Sequence, residues 1–197
     1  MHDTITNRPH LIAALNAAVA VYHRGTSEHC VRVGHNSGLL GSSLGVEGHD
    51  LEALGWAGLL HDLGKLAVPD EILRKPGPLS DDEWIEVKRH PVVGAELVLS
   101  LSPELAPIAE GIRTHHERWD GTGYPDGLRD EAIPLPGRII AVVDVFDSLT
   151  HPRGYRSHVR SQPDATEFVE QAVGSQFDPR IVPRFLELLR RGQLSTR

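Results

Sequence analysis

The chain has 197 residues, 40% of them hydrophobic, and a formal charge of −7, with a pI of about 5.9. That length fits one domain with a full core, and lysine and arginine are scattered rather than clustered, which argues against a nucleic-acid polymer as partner. Cys30 is the only cysteine, so neither an intrachain disulfide nor a thiolate zinc site is available, and a reducing, cytoplasmic setting is the expectation.

Taken in chain order, the most apolar early stretch runs from Leu11 to Tyr22. It is short, is interrupted by Asn16 and lacks a basic flank followed by a small-residue cleavage site, so neither a signal peptide nor a membrane span is expected. Apolar residues recur at helical spacing over 9–24, 27–45, 49–62, 81–100, 103–116, 136–150, 163–173 and 179–191, which predicts an all-α fold. Breakers separate these blocks: Gly45 and Gly48, the region Pro69 to Pro78, Pro103, and the loop from Asp120 to Pro136. Ser80 with Glu83 three residues on predicts a capping box, and Ser102-Pro103 an N-cap followed by proline at the first helical position. The β-branched run Arg138 to Val145 could be a buried strand or a buried helix by periodicity alone. Helix is preferred, because no second convincing strand exists to pair with it.

Twelve histidines are many for this length, and their placement points to chemistry. His61-Asp62 ends an apolar helix and is followed by Gly64 and Lys65, His90 precedes Pro91, His115-His116 ends another apolar helix, and Asp144 and Asp147 lie within RIIAVVDVFDSL. Their neighbours are core-type residues such as Leu59, Leu60, Ile112, Val143 and Phe146, where burying an imidazole or carboxylate is costly unless it is paired or bound to metal. One such histidine is ordinarily a hydrogen-bonded core residue; this many together point to a metal cluster. Adjacent helical residues point about 100° apart, so a His-Asp pair can turn its imidazole to one ion and its carboxylate to a second. Nitrogen and carboxylate donors suit iron, manganese or zinc better than a soft metal.

His29, His61-Asp62 and Asp144 together resemble the H…HD…D signature of the HD phosphohydrolase superfamily. The stretches HDLGKLAVPDEILRKPGPLSDDEW (61–84), His-Pro-x-x-Gly (90–94), HHERWDGTGYP (115–125) and DVFDSLTHPRGYR (144–156) look like its HD-GYP subfamily, and the resemblance extends over roughly residues 10–192. It implies an all-α helical-bundle HD domain extended by C-terminal helices across 25–192, with 1–24 as a helix packing on it and 193–197 as a tail. It also implies hydrolysis of cyclic di-GMP to linear pGpG and in some members to GMP. His29, His61, Asp62 and Asp144 would bind a first divalent metal, and Asp62, His90, His115 and His116 a second, iron or alternatively manganese. Lys65 occupies the family's phosphate-contacting lysine position, Arg153 and Arg156 match basic positions that reach substrate phosphate, and Tyr124 belongs to the loop 120–125. That loop reads either as a substrate wall, as a contact for a partner such as a diguanylate cyclase or sensor protein, or as a structural turn. Members with a third metal carry a glutamate four residues before the first histidine; Gly25 stands there, so two metals are expected. Gly154 replaces the family's usual proline and leaves the Arg153 to Arg156 loop freer.

Two divalent ions that share a water lower its pKa from about 15.7 to about 7. The hydroxide so formed is expected to attack phosphorus in line with the departing 3′ oxygen, with bridging Asp62 and charge-offsetting Lys65 as the catalytic residues. Asp147 and Glu117 are expected to orient ligating histidines or metal water. Cys30 is expected to pack its helix, and His35, His49, His151 and His158 to be surface or core residues. Two other functions fit the same residues: hydrolysis of a different cyclic dinucleotide or a mononucleotide, and a non-catalytic receptor or cyclase-interaction module.

Overall fold

Glycine and proline cut the chain into short helices in the computed structural model, which describes residues 10, 12–15, 17, 26–151 and 159–195. The α-helices are α1 (Thr26–Ser43), α2 (Gly48–Leu60), α3 (Asp70–Leu73), α4 (Asp81–Lys88), α5 (His90–Leu101), α6 (Ala106–Thr114), α7 (Leu135–Thr150), α8 (Gln162–Gln171) and α9 (Val182–Arg190), with 3-10 turns at Leu63–Ala67, Pro103–Leu105 and Asp130–Ala132. Among the described residues there is no strand, only an isolated bridge between Val173 and Phe177, and the all-α expectation holds. No helix among them is long and apolar enough to cross a membrane.

The stretch Arg138 to Val145 is helical within α7, where Ile139 to Asp144 are all buried. A helix apolar on every side belongs at the centre of a bundle, and α7 packs against α1, α2, α6 and α8. The α1–α2 pair meets closely at glycines: a Cβ on Gly34 would stand 2.8 Å from the Gly55 carbonyl oxygen. The expected N-terminal helix falls mostly outside the described residues, although Ile12 is buried in the core. Within the expected tail, Leu194 is buried, and Ser195 exchanges two hydrogen bonds with the Asn36 side chain of α1, at 2.8 and 2.9 Å.

Two predicted blocks divide in the structure. The block 81–100 breaks at Arg89 into α4 and α5, since Pro91 has no N–H to continue the ladder toward Val87. The block 103–116 becomes a 3-10 turn and α6, which ends at Thr114 and leaves His115 at the C-cap. The Ser80–Glu83 capping box is present, with bonds of 2.7 and 3.3 Å. Ser102 caps the 3-10 turn by accepting from the Glu104 N–H.

Candidate metal centre

Helix ends bring the histidines together. The last four carbonyls of a helix have no intrahelical partner, and three histidines use them. His61 Nδ1 lies 2.8 Å from the Gly58 oxygen, His90 Nδ1 2.7 Å from Val87 and His115 Nδ1 2.6 Å from Ile112. A carbonyl only accepts, so each Nδ1 carries the proton and each Nε2 presents a lone pair inward in the neutral ring. His29 Nδ1 instead meets Asp147 Oδ2 at 2.6 Å.

The inward atoms form two groups, His29 with His61 and Asp62, and His90 with His115 and His116. Asp144 joins the first, with Oδ1 3.1 Å from His29 Nε2 and 3.7 Å from His61 Nε2. Asp62 lies between the groups: its Oδ2 is 3.5 Å from His61 Nε2 and its Oδ1 3.5 Å from His90 Nε2. Lys65 donates to Asp62 Oδ2 at 2.6 Å.

Burial lowers the pKa of His61 against the opposing pull of Asp62 and Asp144. It lowers His90 to about 3, with the Lys65 charge adding to the effect, and His116 to about 4. His115 is held well below 6.5 by burial and by the neighbouring His116. Burial would raise Asp62, but Lys65, His61 and His90 outweigh it and hold the carboxyl well below 3.8. Two consequences bear on metal fit. His90 Nε2 and His115 Nε2 face one another at 3.3 Å as bare lone pairs, and the His61 lone pair faces two carboxylate oxygens. Both arrangements are repulsive unless a cation stands among them, so the donor set fits divalent metal ions.

Tyr124 lines the rim. Its ring stacks on His116 with centroids 4.8 Å apart and lies under the Lys88 ammonium at 5.6 Å. Burial, with the Asp144 and Asp62 charges, pushes its phenol up, so it remains a donor. Arg153, Arg156, Gly154, Gly25 and His158, named from the sequence, lie outside the described residues.

Asp147 does contact a cluster histidine, as expected. Glu117 does not: it is buried and accepts the backbone N–H groups of Asp126 at 2.7 Å and Leu128 at 3.0 Å, so it closes the loop 117–128 instead of orienting a histidine or lying on the surface. Its direction along the chain gave no hint, because its partners are donors nine and eleven residues ahead. Of the other histidines, His35 is exposed and His151 approaches Asp147 Oδ1 at 3.2 Å. Arg32, which sequence inspection passed over, donates to both oxygens of Asp147 at 2.6 and 2.9 Å. Its spacing of three from His29 on a helix was the available signal.

A family model described as HD domain matches residues 4–181. Over 187 residues the chain is 38% identical to the cyclic di-GMP phosphodiesterase response regulator RpfG of Xanthomonas campestris, covering 94% of this chain and 49% of that protein. It is 36% identical over 188 residues to the 3′3′-cGAMP-specific phosphodiesterase 2 of Vibrio cholerae, covering 95% of this chain and 36% of that one. The crystal structure of a cyclic GMP-AMP specific phosphodiesterase of V. cholerae, V-cGAP3, superposes with a TM-score of 0.71 at 23% identity, over 93% of this chain and 49% of that chain, a likeness of fold. The chain spans about half the length, or less, of these relatives.

Proposed function

This chain belongs to the HD domain family, and on that premise we propose that it is a metal-dependent phosphodiesterase that opens cyclic di-GMP to linear pGpG, with GMP as a further product. Two divalent ions, iron or alternatively manganese, would be held by His29, His61, Asp62 and Asp144 on one side and by Asp62, His90, His115 and His116 on the other. Asp62 carries the proposal, because its two oxygens each lie 3.5 Å from a histidine nitrogen of a different group. A bound pair of such ions supplies a water acidic enough to ionise near neutral pH, together with charge that offsets the phosphate's.

The chain's own residues do the rest. The Nδ1 hydrogen bonds of His29, His61, His90 and His115 lock those imidazoles so that their lone pairs are already aimed, and burial keeps protons from competing for the lone pairs of His61, His90, His115 and His116. Lys65 sits beside Asp62, where its ammonium can pair with a non-bridging phosphate oxygen as charge builds there. Tyr124 offers a phenolic donor at the rim, and Arg153 and Arg156 are assigned to substrate phosphate by their match to the family pattern. The loop 120–125 is the surface we assign to a partner such as a diguanylate cyclase or sensor protein, and a cytoplasmic setting is in keeping with the single cysteine.

The similarity to RpfG supports cyclic di-GMP as substrate. The comparable identity to a 3′3′-cGAMP-specific enzyme supports a second reading, in which another cyclic dinucleotide is preferred. The deciding experiment is chromatography of products after anaerobically purified, iron- or manganese-loaded protein is incubated in parallel with cyclic di-GMP and 3′3′-cGAMP. Linear dinucleotide or GMP from cyclic di-GMP is expected; faster turnover of the mixed dinucleotide moves the substrate assignment. Absence of product from protein shown to hold two metals turns the function to a receptor.

A further inference from the structure

We propose that Arg32 and Asp147 are positioning residues that make the His29 metal position the tighter of the two, so that the centre fills in a fixed order. This rests on the metal-centre reading above and goes beyond it by grading the two positions. Asp147 is 3% exposed, and its carboxylate is committed on both oxygens: Oδ2 to His29 Nδ1 at 2.6 Å, and Oδ1 and Oδ2 to the Arg32 guanidinium at 2.6 and 2.9 Å. The pair ties α1, which carries His29, to α7, which carries Asp144. Both ligands are thereby set by one two-pronged contact, whose fork geometry fixes angle as well as distance.

Among the described residues, no equivalent carboxylate–guanidinium pair backs the second position. His90 and His115 lean on main-chain carbonyls, at 2.7 and 2.6 Å, which are neutral acceptors. A carboxylate behind an imidazole draws its Nδ1 proton more strongly and makes the outward Nε2 a better donor. Among the described residues the charges run the same way: the His29 position has Asp62 and Asp144, whereas the His90, His115 and His116 position has its share of Asp62 alone. Arg32 also offsets the charge of Asp147, which stands one helical turn from Asp144 and would otherwise repel it.

The test uses calorimetric titration of metal-free protein with Mn²⁺. His115→Ala leaves the His29 position as the better-equipped site, and His29→Ala leaves the other. Adding Arg32→Ala to His115→Ala should weaken Mn²⁺ binding by about 10–100-fold; adding it to His29→Ala should leave binding unchanged. Asp147→Asn, which is isosteric, should repeat this pattern and covers the case in which Arg32→Ala fails to fold, as judged by circular dichroism. Equal weakening in both backgrounds, or none in either, overturns the proposal while leaving the metal centre intact. Failure of the unaltered protein to take up Mn²⁺ overturns the metal-centre reading itself.

Discussion

Replacing Gly64 by alanine tests how closely the Leu63–Ala67 turn must lie against α5. A Cβ there would fall 1.9 Å from the His90 carbonyl oxygen, 2.6 Å from the Gly94 nitrogen and 2.8 Å from the His90 carbonyl carbon. All three are backbone atoms, so no side chain can rotate away. Reaching ordinary contact at 3.4 Å requires the turn and the start of α5 to separate by about 1.5 Å along that line, and overpacking of this kind costs about 1–3 kcal/mol. For a chain of this size each kcal/mol lowers the melting temperature by about 2–4 °C. The same movement separates Asp62 and Lys65 from His90, and a displacement of about 1 Å at a reacting centre costs about 10²-fold in rate. Thermal melts, Mn²⁺ stoichiometry and turnover of cyclic di-GMP on one preparation of Gly64→Ala should therefore show a lower melting temperature together with a disproportionate loss of activity. An unchanged melt with full turnover would refute the close approach of turn and helix on which this rests.

Asp62→Ala should abolish turnover and leave neither metal firmly held, whereas Lys65→Ala should keep both metals and slow catalysis; metal analysis beside kinetics separates the two, and turnover retained in Asp62→Ala would end the two-metal proposal. In Glu117→Gln, one of the two part-buried N–H groups of Asp126 and Leu128 loses its carboxylate acceptor and meets an amide donor, at a cost of about 1–3 kcal/mol. The loop carrying Tyr124 should loosen, so KM for cyclic di-GMP should rise more than kcat falls. Asp178 supplies the pH dependence: burial would raise its pKa, but hydrogen bonds from Arg180 and Arg138 outweigh this and hold it below 3.8. Its folded-state value being depressed, its contribution to stability is full above 3.8 and is lost as the pH falls through the lowered value. Melting curves from neutral to acid pH should show that loss, and Asp178→Asn should flatten it.

The helices, the Ser80–Glu83 capping box and the line-up of His61, His90 and His115 at helix ends were determined by the sequence itself, because each depends on partners no more than four residues away. Even the break at Arg89 is written locally, in Pro91, although the apolar period across 81–100 hid it. The family motifs likewise named the cluster residues, since their spacing survives without knowledge of the fold. Only the tertiary structure decided that Asp62 turns an oxygen to each histidine group, that Arg32 grips Asp147 across 115 positions of chain, and that Glu117 closes a loop. Those contacts depend on where α1, α5, α6 and α7 come to rest against one another, and helix packing is chosen by the whole core rather than by any local run of residues.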